Sequence, residues 1–284
     1  MRMTPPPSRA ASDGDATPER GRKPRAGEAV LDRAFKLLRC FDSDHRVQPL
    51  ASLAQRTGMP RSSALRLVRQ LTEAGALERL EDGDYVVGLR LLELASLAPR
   101  GHGLRSVAMP YMEDLFHVTR QHVLLAVRDG DDALLVERLS AHDATEVRFR
   151  VGGRMPLTAT GVGLVLLAYA PTDVQEELLR DFAPHEDVGL VRLRSADELR
   201  RALAEVRRGG YAVAQHPGAE GLATAAAPVH DEHGVVAALS VVVPSNQFTP
   251  HAYVTAVRTG ARAISRQLGG QRQGELNQRP APTK

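Results

Sequence analysis

The sequence predicts an α+β chain in two unlike parts: a winged helix-turn-helix near the N-terminus, and a linker helix leading to a larger mixed domain. Three observations carry this. Residues 50–71 hold two apolar helical stripes separated by Thr57-Gly58-Met59-Pro60. Residues 78–87 read as strand, turn and strand around Asp82-Gly83. From 103 to 269, strand and helix patterns are interleaved, with turn signals at Asp129-Gly130-Asp131 and Asp231-Glu232-His233-Gly234.

Taken in order, residues 1–27 are rich in Pro, Ser, Asp and Arg and are expected to be a disordered tail. Arg20, Arg22, Lys23 and Arg25 either solubilise that tail or form a basic arm toward phosphate or minor groove. Residues 28–87 are expected to form the winged domain. Ala29, Val30, Phe35, Leu37, Leu38 and Phe41 supply the apolar face of its first helix. Cys40 is placed in that helix as a buried structural thiol. As the chain's one cysteine it excludes an intrachain disulfide.

The next helix shows Leu50, Leu53 and Ala54. Gly58 can take the positive φ that ends it, and Pro60 suits the first turn of its successor. That successor carries the stripe Leu65, Val68 and Leu71. It opens with Arg61, Ser62 and Ser63 and adds Arg66 and Arg69, the side-chain types that reach phosphates and base edges from a recognition helix. Arg79, on the first wing strand, is a further candidate DNA contact.

Residues 88–102 form the linker. Leu89, Leu91, Leu92, Leu94, Ala95, Leu97 and Ala98 make a helix too apolar on too many sides to stand free. It is expected to pack on a partner subunit or on the second domain, and residues 99–103 to break it. Residues 103–270 then hold a helix at about 104–119, strands at 122–128, 133–139 and 147–151, and a loop at 152–156. Helices follow at about 162–169, 174–180 and 196–208, then strands at 211–215, 224–229 and 235–243. A last helix spans about 253–268, and 271–284 are expected to be a disordered tail.

At 284 residues the chain can bury a sizeable core. Its formal charge is only +3, and a pI of 9.3 is weak support for nucleic acid. Glu78, Glu81, Asp82 and Asp84 offset the arginines of the winged region, so affinity must come from local charge placement, doubled by dimerisation, and fall with salt. No apolar run approaches the roughly 20 residues of a membrane span, and the start lacks the apolar core of a signal peptide. The expected location is the cytoplasm.

Catalytic chemistry finds no foothold. Gly161-Val162-Gly163 lacks the third glycine and distant acid of a dinucleotide fingerprint. It reads as a loop entering a helix, either holding an anion on free N–H groups or packing closely. His102, His117, His122, His142, His185, His216, His230, His233 and His251 show no metal-ligand spacing, and no Gly-x-Ser-x-Gly elbow occurs. Aromatics are 4%, too few for a single-strand stacking platform. No catalytic residue, metal or cofactor is expected. The alternative reading is a small-molecule enzyme or binding protein using the winged part only to dimerise; it would need a catalytic constellation, and none is found.

The chain resembles the IclR family of bacterial transcriptional regulators over nearly all of 28–270. The resemblance rests on LAQRTGMPRSSALRLVRQLTEAG at 53–75, DYVVGLRLLELA at 84–95, VGGRMPLTATGVGLVLLA at 151–168 and LRRALAEVRRGGYAV at 199–213. GLATAAAPVHDEHGVVAALSVVVP at 221–244 and AISRQLG at 263–269 complete it in matching order. It implies a GAF-like effector-binding domain, a dimerising linker, dimers that often pair into tetramers, double-stranded DNA as partner and small organic acids as effectors. It also implies a pocket walled by Thr158, Thr160, Gly161, Ala214, Thr224 and Ser240.

The departures fall in the sensing half. Leu164 replaces a family lysine, and His216-Pro217 replace paired glutamates. Ala214 replaces an acid or serine, Thr224 a cysteine, and Val242 the second serine of a Ser-x-Ser pair. With Thr158, Thr160, Thr224, Ser240 and backbone N–H groups as the remaining donors, the expectation is weak response to simple keto acids and preference for a larger, less charged ligand.

Overall fold

A computed structural model describes residues 29–42, 44–141, 149–185, 191–215 and 221–277. The N-terminal tail with its basic cluster, His142 and His216-Pro217 lie outside the described residues. The chain divides into two compact units, Met1–Leu92 and Glu93–Lys284.

In the first unit, helices α1 (Val30–Leu38), α2 (Leu50–Thr57) and α3 (Arg61–Glu73) precede a hairpin of β1 (Leu77–Arg79) and β2 (Tyr85–Val87). The register is Leu77↔Val87 and Arg79↔Tyr85, turned at Gly83. Leu37, Cys40, Leu53, Leu67, Val68, Leu77 and Tyr85 share one buried cluster. Gln48, also buried, exchanges two backbone hydrogen bonds with Tyr85, both at 2.9 Å. Its Nε2 donates to the Cys40 carbonyl at 3.1 Å. The approach to α2 is thereby tied both to the wing and to the end of α1.

The turn between α2 and α3 works through Gly58, whose φ of 67° lets its N–H and that of Met59 reach back to the carbonyls of Gln55 and Ala54. Pro60 is the N-cap of α3 rather than part of its first turn, with extended ψ 139° and a carbonyl that accepts from Ala64. The buried stripe of α3 is Ala64, Leu67 and Val68. Of the expected stripe only Val68 is fully buried, because the helix is rotated so that Leu65 borders the wing and Leu71 packs at the cluster's margin.

α1 also departs from expectation. Leu37 is its one buried residue, while Val30 and Phe35 face outward. Cys40 follows the helix, beyond the C-cap Arg39, and its Sγ donates to the Lys36 carbonyl. Helix α4 (Leu89–Ser96) buries no residue within the chain: Leu92 is 67% exposed, and Leu89 and Leu94 are similar.

The second unit is a six-stranded antiparallel sheet with helices on both faces. A π-helical turn at Pro99–Gly103 feeds α5 (Leu104–Thr119). There follow β3 (His122–Asp129), β4 (Asp132–Leu139), β5 (Arg154–Pro156), α6 (Gly161–Ala168), α7 (Thr172–Arg180) and α8 (Ala196–Gly209). β6 (Ala212–Gln215), β7 (Leu222–Asp231), β8 (Gly234–Pro244) and α9 (Pro250–Asn277) complete it. The strand order is β5-β4-β3-β8-β7-β6. Alternation sorts the core. Val123, Leu125, Ala225, Leu239 and Val241 pack with α5 and α9. Leu124, Ala126, Ala226, Ala238 and Val242 pack with α6 and α8.

Two expectations fail here. Residues 149–151 form no strand; the strand at this place is Arg154–Pro156, paired with β4 from Asp132↔Pro156 to Leu134↔Arg154. The Phe149 carbonyl is taken by the Arg138 guanidinium at 2.7 Å, and the chain turns at Gly152 (φ 77°) before it reaches the sheet edge. The last helix also runs to Asn277, past residue 270, because Gly269 and Gly270 stay helical instead of adopting the left-handed conformation that would end it.

Candidate DNA interface and effector site

Burying Ala64, Leu67 and Val68 turns the opposite side of α3 to solvent. Arg61, Ser62, Arg66 and Arg69 are exposed there and Ser63 is half-buried. A cleft of about 610 Å³ lies between α3 and the wing, and Arg61, Arg69 and Arg79 all line it. Ser62 and Arg66, four residues apart, sit on the adjoining helix face. Among the described residues no hydrogen bond or ion pair engages the side chains of Arg61, Arg66, Arg69 or Arg79. Glu73, Asp82 and Asp84 border the same cleft and offset part of its positive charge.

The loop before α2 is held by Asp42. Its carboxylate accepts from the backbone N–H groups of Asp44 and His45, and it meets His45 Nδ1 at 2.8 Å and Arg56 Nη2 at 3.0 Å. The His45 hydrogen bond leads the causes that hold this carboxyl well below the usual aspartate range. Burial pushes the Cys40 thiol up, consistent with an inert packing residue.

In the second unit, the suggested effector residues converge on the α6 face of the sheet. Thr160 caps α6, accepting from Gly163 N–H at 3.1 Å and donating to the Pro156 carbonyl. The two glycines have a packing reason. A Cβ on Gly161 would come within 2.8 Å of Thr224 Cγ2, and one on Gly163 within 2.5 Å of the Leu157 carbonyl. Ala214 pairs with Thr224, and Thr224 with Val242. One register step away, Ser240 lies between Ala226 and Leu124. Its Oγ is buried without a hydrogen-bond partner among the described residues.

Two histidines that show no metal-ligand spacing in the sequence join this neighbourhood. His185 Nε2 lies 3.0 Å from Thr158 Oγ1, and Val191 N–H donates to the Ala159 carbonyl, so both residues are tied to the loop before α6. His122, 4% exposed, pairs with Val242 on the sheet, and its Nδ1 is 2.8 Å from Ser140 Oγ. Among the described residues, no cluster of three or more potential ligands could hold a metal, and no helix is long and apolar enough to cross a membrane.

Comparison with known proteins matches both units. Residues 30–81 fit the family model for the IclR helix-turn-helix domain, and residues 98–266 that for the bacterial transcriptional regulator IclR C-terminal. The chain is 30% identical over 250 residues to the glycerol operon regulatory protein of Streptomyces coelicolor, covering 85% of this chain and 97% of that protein. It is 27% identical to the transcriptional repressor IclR of Escherichia coli, covering 81% and 88%. Among solved structures, an IclR homolog from Microbacterium hydrocarbonoxydans complexed with 4-hydroxybenzoate is 37% identical, with a TM-score of 0.77, over 84% of this chain and 99% of that one. These relatives are regulators and repressors rather than enzymes. With its helix-turn-helix and its effector-binding domain both matched, the chain belongs to the IclR family and is a DNA-binding transcriptional regulator.

Proposed function

We propose that Ser62, Ser63 and Arg66 face base edges in the major groove while Arg61, Arg69 and Arg79 hold phosphates beside it, with two copies of the chain binding paired half-sites. The carrying observation is the cleft between α3 and the wing lined by Arg61, Arg69 and Arg79, with Arg66 on the adjoining helix face and none of the four guanidinium groups engaged among the described residues. The apolar, unburied α4 supports assembly through the linker as a dimer. Such a protein works in the cytoplasm, where the chromosome is.

The second unit responds to a small effector on the α6 face, at Thr158, Thr160, Gly161, Ala214, Thr224 and Ser240. The buried, unpartnered Ser240 hydroxyl supports this, because leaving such a group without a partner is costly. The apolar surroundings Leu124, Ala226 and Val242 favour a ligand larger and less polar than a keto acid. The 4-hydroxybenzoate held by the Microbacterium homolog is of that kind. An effector alters operator binding only if it favours one arrangement of the protein over another.

Fluorescence anisotropy on duplexes from the chain's own promoter region tests both halves. Binding should weaken by orders of magnitude between about 50 and 200 mM salt, and 4-hydroxybenzoate should shift it where pyruvate and glyoxylate do not. Salt-independent binding would contradict the DNA half. Micromolar pyruvate binding abolished by Ser240→Ala would keep the site and contradict the ligand preference.

A further inference from the structure

We infer that Gln48, a buried residue that does not line the cleft, is a positioning residue for DNA recognition. It fixes the wing against the reading helix, so that Arg79 meets the same duplex as Arg61 and Arg69. This rests on the reading above that the cleft between α3 and the wing is the DNA interface.

The wing needs such a support. Its strands are three residues each, and a two-stranded hairpin on its own is marginal in water. The backbone of Gln48 adds a third member: it pairs antiparallel with Tyr85, which pairs in turn with Arg79. Gln48, Tyr85 and Arg79 thus stand in one cross-strand row, two strand spacings or about 10 Å of backbone from end to end. At the outer end, Arg79 Nη2 lies beside the wing turn, 3.4 Å from where a Cβ on Gly83 would stand. At the inner end, Gln48 runs directly into Pro49, Leu50 and Ala51, which border the cleft together with Arg61 and Arg69. One residue therefore joins the strand that carries Arg79 to the helix pair that carries the other arginines.

The side chain makes this joint specific. Gln48 is 1% exposed, and its amide is satisfied at each end by a different element. Nε2 donates to the Cys40 carbonyl, just past α1, at 3.1 Å. Oε1 accepts from Ser52 Oγ, in the first turn of α2, at 2.5 Å. Thr57, also polar and buried in this unit, instead returns its hydroxyl to its own helix, at the Leu53 and Ala54 carbonyls. An apolar side chain at 48 would fill the volume without fixing the angle between wing and helices. A buried amide keeps both of its bonds in one arrangement only, and losing either partner is costly. That arrangement sets the span from the α3 arginines to Arg79. Phosphates stand at fixed spacing along a duplex, so the span decides whether the wing arginine and the helix arginines bind together.

Salt titration of promoter-duplex binding by the full chain tests this. The variants are Gln48→Met, Ser52→Ala, Arg79→Ala and the double change at 48 and 79, each studied well below its melting temperature. Arg79→Ala should lower the salt slope by about 1 per bound chain and weaken binding about fivefold near about 150 mM salt. Gln48→Met should reproduce both effects with Arg79 intact, and the double variant should lose no more than either single one. Ser52→Ala, which releases one end of the amide, should lower the slope in part. A residue that only stabilised the unit would lower the melting temperature and leave the slope of the folded protein unchanged, and its cost would add to that of Arg79→Ala. If Gln48→Met does not melt cooperatively, Ser52→Ala decides alone. An unchanged slope in the variant that decides, while Arg79→Ala lowers it, would overturn the role of Gln48 and leave the interface standing. An unchanged slope in Arg79→Ala would remove the wing from the interface and overturn the assignment with it.

Discussion

Gly161 and Thr224 are in direct contact across the α6–β7 junction: a Cβ at 161 would stand 2.8 Å from Thr224 Cγ2 and 3.2 Å from its Oγ1. The start of the helix is set by this approach, and with it the position of the loop that carries Thr158 and Thr160. Gly161→Ala should therefore push the helix off the sheet and cost about 1–3 kcal/mol, the usual scale of overpacking. In a Thr224→Ala background the same change should cost much less. A double-mutant cycle read by thermal melting checks it; additive costs would show that the contact does not couple the two elements.

For DNA, Arg66→Ala and Arg69→Ala should behave differently. If Arg66 reads a base, its loss costs about 1–3 kcal/mol and relaxes preference at one operator position. Loss of Arg69, which lines the cleft beside the wing, should weaken all duplexes alike and reduce the salt slope by about 1. Anisotropy over a set of single-base operator variants separates the two behaviours. Uniform weakening by Arg66→Ala would make it a phosphate contact.

Assembly should fail when charge is placed on α4. Leu92 is 67% exposed and Leu94 60% exposed within one chain, so neither is needed for the chain's own core. Leu92→Glu with Leu94→Glu should leave a folded monomer in light scattering where the wild type is a dimer. A wild-type monomer at micromolar concentration would refute the assembly proposal.

Acid should loosen the junction of α1 and α2 through Asp42. Its folded carboxyl is held below the ordinary value of about 3.9, first by His45 and then, after the opposing effect of burial, by Arg56 and the Asp44 N–H. The contribution is fully present above the ordinary pKa and is lost as pH falls below about 4 toward the lower folded value. The carboxyl is partly exposed and the effect correspondingly small. Asp42→Asn should flatten the acid limb of melting temperature against pH; an unchanged limb would assign that limb to other groups.

Much of this was legible in the sequence, and the reasons are specific. Gly58 between two short amphipathic stretches fixed the helix-turn-helix, and Asp82-Gly83 the wing, because both signals are local. Rotation of α3 was harder: Leu65 and Leu67 both fit a stripe, and only packing against α1 and the wing puts Leu67 inside. β5 was missed because a three-residue edge strand has no periodicity, while residues 147–151 alternate well but give the Phe149 carbonyl to a side chain. Thr224 and Ser240 lie on the sheet face beneath α6, and Thr160 and Gly161 stand at the start of that helix. His185 carries no local signal, since its partner Thr158 is 27 residues away. His122 did carry one: two residues before Leu124 in a strand, it must share that residue's face.

Genome-wide recovery of DNA bound by the full chain, wild type against Arg66→Ala, tests the central claim most directly. The account predicts a small set of enriched sites, each with two half-sites about one helical turn or a multiple of it apart, and their loss or relaxation in the variant. Recovery of no enriched sequence by the wild type, or an identical set from Arg66→Ala, would contradict the assignment of α3 as the reading element.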